Sequence, residues 1–224
     1  MDDVLGEVTE ARAVEAAETA GLIREVTWWV YNTALRMCAE FAQAGIELQV
    51  ALKVTASGLA QPDFADFVDR ALRTWNMPPE RLTIEVHESA LVAGIEQVKE
   101  MLARLKALGL RLGIDGFGNA SSSLSNLAQL PLDEVKIGAT YVGDMRRVTF
   151  NAKIVRSLAH LAQDLGLRVT ADGIEDDDTA LALSTIGCER IQGSYVGRPL
   201  TAQEVFACKF DGAGPVRLPF GPAD

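Results

Sequence analysis

"LRLGIDGF", residues 110–117, ends an apolar run on a carboxylate and follows it at once with glycine. Apolar residues outnumber polar ones up to Asp115, as in a strand buried on both faces. Asp115 then stands where a buried strand meets its loop, the place for a ligand or a catalytic group. Gly116 has no evident role there from the sequence alone. Working outward, similar β-type runs recur at "IELQVALKV" (46–54), "RLTIEV" (81–86), "DEVKIG" (133–138), "LRVTADGI" (167–174) and "ERIQGSYVG" (189–197).

Helical patterns separate these runs. "GIEQVKEMLARLKALG" (94–109) repeats Ile95, Val98, Met101, Leu102, Leu105 and Leu108 at three- and four-residue steps, and Gly109 is placed to cap it. "FNAKIVRSLAHLAQDLG" (150–166) repeats the device. Strands alternating with helices mean parallel strands joined by helical crossovers, which fits a doubly wound sheet or a (β/α) barrel. Lys53, Glu85, Asp115, Lys136, Asp172 and Gln192 all fall at strand C-termini, and such residues converge on one mouth in a barrel. The expected fold is therefore α/β, an incomplete or modified TIM-type barrel with outer helices. Only about six strands can be found, whereas closure of this type takes about eight.

Residues 1–210 read as one unit. Within it, 10–45 form a helical segment whose apolar side includes Leu22, Val26, Trp29, Val30, Leu35 and Phe41. Trp28, Trp29 and Tyr31 are read as packing residues. Residues 211–224, rich in Gly and Pro, read as a loose tail. The chain has 224 residues and a formal net charge of −10, which opposes non-specific nucleic-acid binding. No apolar run reaches membrane-span length and no signal peptide is visible, so a cytoplasmic location without membrane insertion is expected. Cys38, Cys188 and Cys208 have no metal-type spacing and read as buried free thiols.

Three stretches carry a family resemblance together: "IEVHES" (84–89), "LGIDGFGNASSSLSNLAQLPLDEVKIG" (112–138), and "TADGIE" (170–175) followed by "IQGSYVGRPL" (191–200). Their order and spacing resemble the EAL domain family, bacterial phosphodiesterases that hydrolyse cyclic di-GMP, from about residue 18 to residue 200. The resemblance implies a modified (β/α) barrel. It implies two divalent cations, Mg²⁺ or Mn²⁺, at the strand C-termini, activating a water for attack on a phosphodiester; hard cations take oxygen ligands.

Carried over residue by residue, the resemblance makes Glu85 a metal ligand with Glu88 three residues on, and Asp115 the metal-bridging carboxylate. Gly116 replaces a second metal-binding Asp. Lys136 is the lysine that positions water, and Gly138 stands for its Asp neighbour. Asp172, Gly173, Ile174 and Glu175 match a Glu-Gly-Val-Glu element, one methylene shorter at its first position. Gln192 matches a Gln of the ligand site. Lys53 replaces a metal-ligating Asn, and no strand bearing the Glu-Ala-Leu signature precedes the helices.

These departures imply a degenerate site, with Lys136 and Glu175 as catalytic remnants, Glu85 and Asp115 as remnant metal ligands, and Gln192 and Asp172 as ligand-binding positions. An ammonium at position 53 repels a cation and can neutralise Glu85 and Asp115 in its absence. The expected function is a non-hydrolytic EAL-type domain acting by protein or ligand binding, with no cofactor. The alternative is a metal-dependent phosphodiesterase using Mg²⁺ or Mn²⁺ to make the linear dinucleotide. Cyclic di-GMP, a protein partner or a second copy across the open sheet edge are the expected partners. Glu88 and Glu175 also read as helix N-terminal carboxylates, His87 as a packing histidine, or one supporting the site from behind, on the face opposite Glu85, and serines 121–123 either as resembling the loop that the family links to metal binding and dimer contacts or as a polar loop ending in a helix cap.

Overall fold

Side chains in the strands sort by parity. In β4 (Glu134–Ile137) Val135 and Ile137 lie on one face and Glu134 and Lys136 on the other. Leu82, Ile84 and Val86 of β2 (Leu82–His87) face away from Thr83 and Glu85. The odd-and-even split repeats in β1 (Val50–Val54), β3 (Arg111–Phe117) and β5 (Arg168–Ala171). One face of the sheet is thus aliphatic and is covered by helices, while the other carries the charged residues. The computed structural model describes residues 8–93, 95–119 and 127–208. The serine run and the tail at 211–224 lie outside them.

All six strands are parallel, in the sequential order β1 to β6, with β6 the short Arg190–Ile191. This is a curled half-barrel. The first and last strands do not pair with each other, so the described strands end in two edges. Ahead of β1 come α1 (Glu10–Thr19) and α2 (Ile23–Gln43). The crossovers contain α3 (Ala56–Leu59), α4 (Phe64–Thr74), α5 (Ala90–Ala93), α6 (Ile95–Ala107), α7 (Ala139–Val142), α8 (Thr149–Asp164) and α9 (Asp177–Ile186). The short α10 (Ala202–Ala207) follows β6 and opens with a Thr201–Glu204 capping box.

The core lies between sheet and helices. Phe64, Phe67, Val68, Ala71 and Leu72 of α4 recur at helical spacing and are all buried. Leu102 and Leu105 of α6 and Val155 and Ala159 of α8 pack the same way. Helix α2 buries Ile23, Thr27, Tyr31, Leu35, Cys38 and Phe41. This corrects the expected apolar side. Leu35 and Phe41 are inside, but Leu22, Val26, Trp29 and Val30 are exposed, Trp29 by 68%. Trp28 stacks on Phe67 at 4.8 Å and Tyr31 is fully buried, as packing residues should be, whereas Trp29 is not one. The helix has two apolar stripes, and the sheet covers only one.

Beyond β6 the chain turns sharply at Gly193. Ile174 donates its N–H to the Gln192 carbonyl, and Tyr195 donates to the Ile174 carbonyl, so the loops after β5 and β6 are locked together. Gly193 sits inside this lock at φ +150°, and a Cβ there would lie 2.2 Å from the Ile174 oxygen. Gly193→Ala should cost about 2–3 kcal/mol. That lowers the melting temperature by roughly 4–12 °C for a chain of this size. A wild-type melting curve for the variant would contradict the close approach.

Candidate functional site

The mouth is built at the C-terminal ends of the strands, and its geometry starts from a bulge in β3. Pairing with β4 slips between Asp115 and Phe117. Gly116 occupies the slip at φ +73°, in the left-handed region that glycine enters without a Cβ penalty. A Cβ there would stand 3.0 Å from His87 Nε2 and 3.3 Å from Asn119 Nδ2. Gly116 is therefore a backbone requirement of the bulge. The bulge interrupts the ladder after Asp115, and pairing resumes between Phe117 and Ile137.

Glu88 secures that turn. It is 2% exposed, and its Oε2 accepts from Gly118 N–H at 3.0 Å, while its own N–H donates to the Asp115 carbonyl at 2.9 Å. This revises the helix-terminus reading, because the carboxylate serves the β3 loop. Tyr141 O–H donates to the Gly118 carbonyl at 3.1 Å from the far side. His87 is exposed, with Nδ1 2.8 Å from Ser89 Oγ. It is not a packing histidine, since residues two apart in a strand share a face and His87 follows Glu85.

At the mouth two ammonium groups meet three carboxylates. Lys53 Nζ lies 3.2 Å from Asp115 Oδ2. Lys136 Nζ lies between Glu85 Oε2 at 3.9 Å and Asp172 Oδ2 at 3.7 Å, which are ion-pair distances too long for hydrogen bonds. Lys136 and Glu85 are buried, whereas the Lys53 side chain is half-exposed. Burial pushes the Glu85 carboxyl above its ordinary range. Lys136 opposes that shift, Asp115 adds to it, and Lys53 opposes it more weakly. Tyr31 lies behind this layer, its hydroxyl 3.4 Å from the Lys53 carbonyl. Burial, with the charge of Glu85, raises its phenol.

The other sequence-derived positions sit further out. Asp172 is one residue past β5, and its Oδ1 accepts from Gly173 N–H at 2.8 Å. Gln192, one residue past β6, has an exposed side chain and carries the ladder on through its backbone N–H to the Ala171 carbonyl. Glu175 is exposed and lines a cleft of about 670 Å³ with Thr140, Asp144, Arg146 and Arg147. Among the described residues no three Asp, Glu, His or Cys side chains are grouped as a metal would need. Lys53, Glu85, Asp115, Lys136 and Asp172 are the residues brought together.

A second polar layer lies deeper, at the strand N-termini, and sequence reading missed it. Glu134, 7% exposed, takes Arg168 Nη2 at 3.3 Å and Arg190 Nη1 at 3.2 Å on the same Oε2. Its side chain passes over Gly113, where a Cβ would stand 3.1 Å from Glu134 Cγ. Arg190 also reaches Gln49, just before β1, at 3.0 Å. The signal was present as alternation in "EVKI", which puts Glu134 on the face of Lys136. Asp133 next to it accepts from Leu112 N–H at 2.8 Å and pairs with Lys106.

Comparison with known proteins agrees with this architecture. The EAL domain family model matches residues 2–199. A cyclic di-GMP phosphodiesterase of Pseudomonas aeruginosa, NbdA, is 36% identical over 211 residues, which is 92% of this chain and 27% of that protein. The bifunctional diguanylate cyclase/cyclic di-GMP phosphodiesterase MucR of the same organism is 30% identical over 90% of this chain and 30% of its own length. The chain thus spans about a third or less of these relatives. Among solved structures, the MucR phosphodiesterase in complex with c-di-GMP superposes with a TM-score of 0.87 at 29% identity, over 91% of this chain and 83% of that one. The FimX EAL domain superposes at 0.81 with 23% identity, a likeness of fold. With six parallel strands in sequential order, charged residues at their C-terminal ends and a family match along most of its length, the chain belongs to the EAL domain family.

Proposed function

We propose that this chain is a non-hydrolytic EAL domain of cyclic di-GMP signalling that works by binding. One observation carries the reading: Lys53 Nζ stands 3.2 Å from Asp115, the carboxylate that would bridge two metals. A divalent cation about 4 Å from an ammonium is repelled by several kcal/mol, less the screening that half-exposure of Lys53 allows. The other donors fit a metal pair poorly as well. Glu85 and Asp172 flank the Lys136 ammonium, and Gly116 offers no oxygen from a side chain. No hydrolytic step is therefore routed through a metal. Lys53 and Lys136 offset two of the three carboxylate charges at the mouth, and Gln192 and Asp172 on its rim remain the positions for a dinucleotide.

Calorimetric titration with cyclic di-GMP, with and without Mn²⁺ or Mg²⁺, separates the readings when product is followed by chromatography. The expected outcome is no linear dinucleotide under any condition. Metal-independent heat identifies a cyclic di-GMP receptor, and absence of heat identifies a protein-binding domain. Metal-dependent turnover that Asp115→Ala abolishes would establish a working phosphodiesterase in its place.

The two lysines should differ in their effect on stability. Lys136→Met leaves Glu85 buried without its principal counter-charge and should cost about 3–5 kcal/mol. Lys53→Asn removes a half-exposed pair and should cost less than about 1 kcal/mol. Equal losses in urea midpoint would contradict the assignment of Lys136 as the buried counter-ion.

Glu85 also predicts a pH dependence. Its carboxyl titrates above 4.5 in the folded chain because burial disfavours the charge. A raised carboxyl gives stability that is complete below the unfolded value and lost as pH rises through the folded one. Relative to Glu85→Gln, the wild type should therefore lose ground as pH is raised from about 4.5 towards neutrality. Urea midpoints of both proteins across that range would measure it; a difference that stayed flat or reversed would contradict the buried charge.

A further inference from the structure

We propose that His87 and Asn119 form a donor corner at the mouth, which holds a phosphate oxygen of the dinucleotide by hydrogen bonds. This rests on the reading that the mouth receives a dinucleotide, and it adds two residues from the ends of β2 and β3 to Gln192 and Asp172.

The corner starts from a turn. Asn119 N–H donates to the Gly116 carbonyl at 3.0 Å, and Gly118 between them stands at φ +94°. Residues 116–119 thus close a turn with glycine where φ must be positive. Glu88 and Tyr141 hold the turn through Gly118. The Asn119 side chain comes back over the strand ends and sits against two glycines. A Cβ at Gly138 would stand 2.6 Å from Asn119 Nδ2, and one at Gly116 would stand 3.3 Å from it. Gly138 has φ −69° and ψ 151°, which any residue adopts. The backbone at 138 therefore does not call for glycine, and the Asn119 carboxamide does.

His87 completes the pair. Ser89 N–H donates to His87 Nδ1 at 3.3 Å. A backbone N–H can only donate, so Nδ1 accepts and the neutral ring carries its proton on Nε2. That Nε2 would lie 3.0 Å from a Cβ at Gly116, the point that Asn119 Nδ2 approaches to 3.3 Å. Two nitrogens each so close to one point can both reach a single acceptor oxygen at hydrogen-bond length. Both residues are exposed, and neither nitrogen donates to an acceptor among the described residues.

The surrounding charges suit an anionic oxygen. His87 pairs in register with Asp115, whose carboxylate is 3.2 Å from the half-exposed Lys53 ammonium. Glu88, next to His87, is turned to Gly118 N–H. The carboxylates beside the corner are thus engaged, and the atoms that meet over Gly116 are both donors. A phosphodiester offers acceptors only and is ionised, which strengthens each bond it receives. Bases and riboses present donors as well, so the phosphate is the part of a dinucleotide that matches.

The test uses the whole 224-residue protein, with cyclic di-GMP followed by calorimetry and by ¹⁵N NMR, and inorganic phosphate by NMR. Either ligand should shift the Asn119 side-chain amide and the His87 Nε2 signals. His87→Ala and Asn119→Ala should each weaken cyclic di-GMP about three- to tenfold, the loss of one hydrogen bond. Asn119→Asp should weaken it further than Asn119→Ala, because it sets a carboxylate against the phosphate. Gly138→Ala keeps both donors, but its methyl group displaces the carboxamide, so it should match Asn119→Ala. Phosphate shifts at the two residues with no heat from cyclic di-GMP would uphold the corner and overturn the dinucleotide reading of the mouth. Cyclic di-GMP binding that ignores all four variants would overturn the corner and leave that reading standing. If neither ligand moves the two signals and cyclic di-GMP gives no heat, both fall.

Discussion

Charged side chains line the concave face of a parallel sheet that would otherwise be filled with aliphatic layers, and each must find a partner where it lies. Lys136 between Glu85 and Asp172, and Glu134 between Arg168 and Arg190, are the two answers, one at each end of the strands. A buried pair of this kind adds little net stability over an apolar packing, yet losing one member is costly. The pairs thus tie together residues from four different strands.

Gly116 illustrates how a change at a site can be chemical and conformational together. A glycine there offers no side-chain oxygen donor and also eases a bulge at φ +73°. Asp115, just before the bulge, lies within reach of Lys53, and Glu88 and Tyr141 hold the following turn by its backbone at Gly118. The loop is thereby anchored by the buried Glu88 and the half-buried Tyr141.

The outer layer obeys a different economy. An amphipathic helix ordinarily has one apolar stripe, matched to the sheet it covers. Helix α2 has two, and only the stripe with Tyr31 and Leu35 is used by β1. An exposed tryptophan beside three exposed aliphatic residues, bordering a strand edge, is a pattern associated with interaction surfaces.

The sequence by itself determined the parallel sense, the approximate number of strands and which polar residues stand at their C-terminal ends. Those depend on local alternation and on carboxylates and lysines placed at the ends of short apolar runs. Asp115, Glu85, Lys136 and Lys53 could be grouped because each ends a strand, and strands of one sense end on one side. The sheet edges were legible as a count of strands. Which stripe of α2 is buried was not, because both have helical spacing and only the position of β1 chooses between Tyr31 and Trp29. Glu134 escaped notice because nothing local distinguishes an acid paired across the sheet from a solvated one. Its partners Arg168 and Arg190 are 34 and 56 residues away in sequence. The role of Gly116 was likewise decided by pairing with β4, because a bulge exists only between two strands.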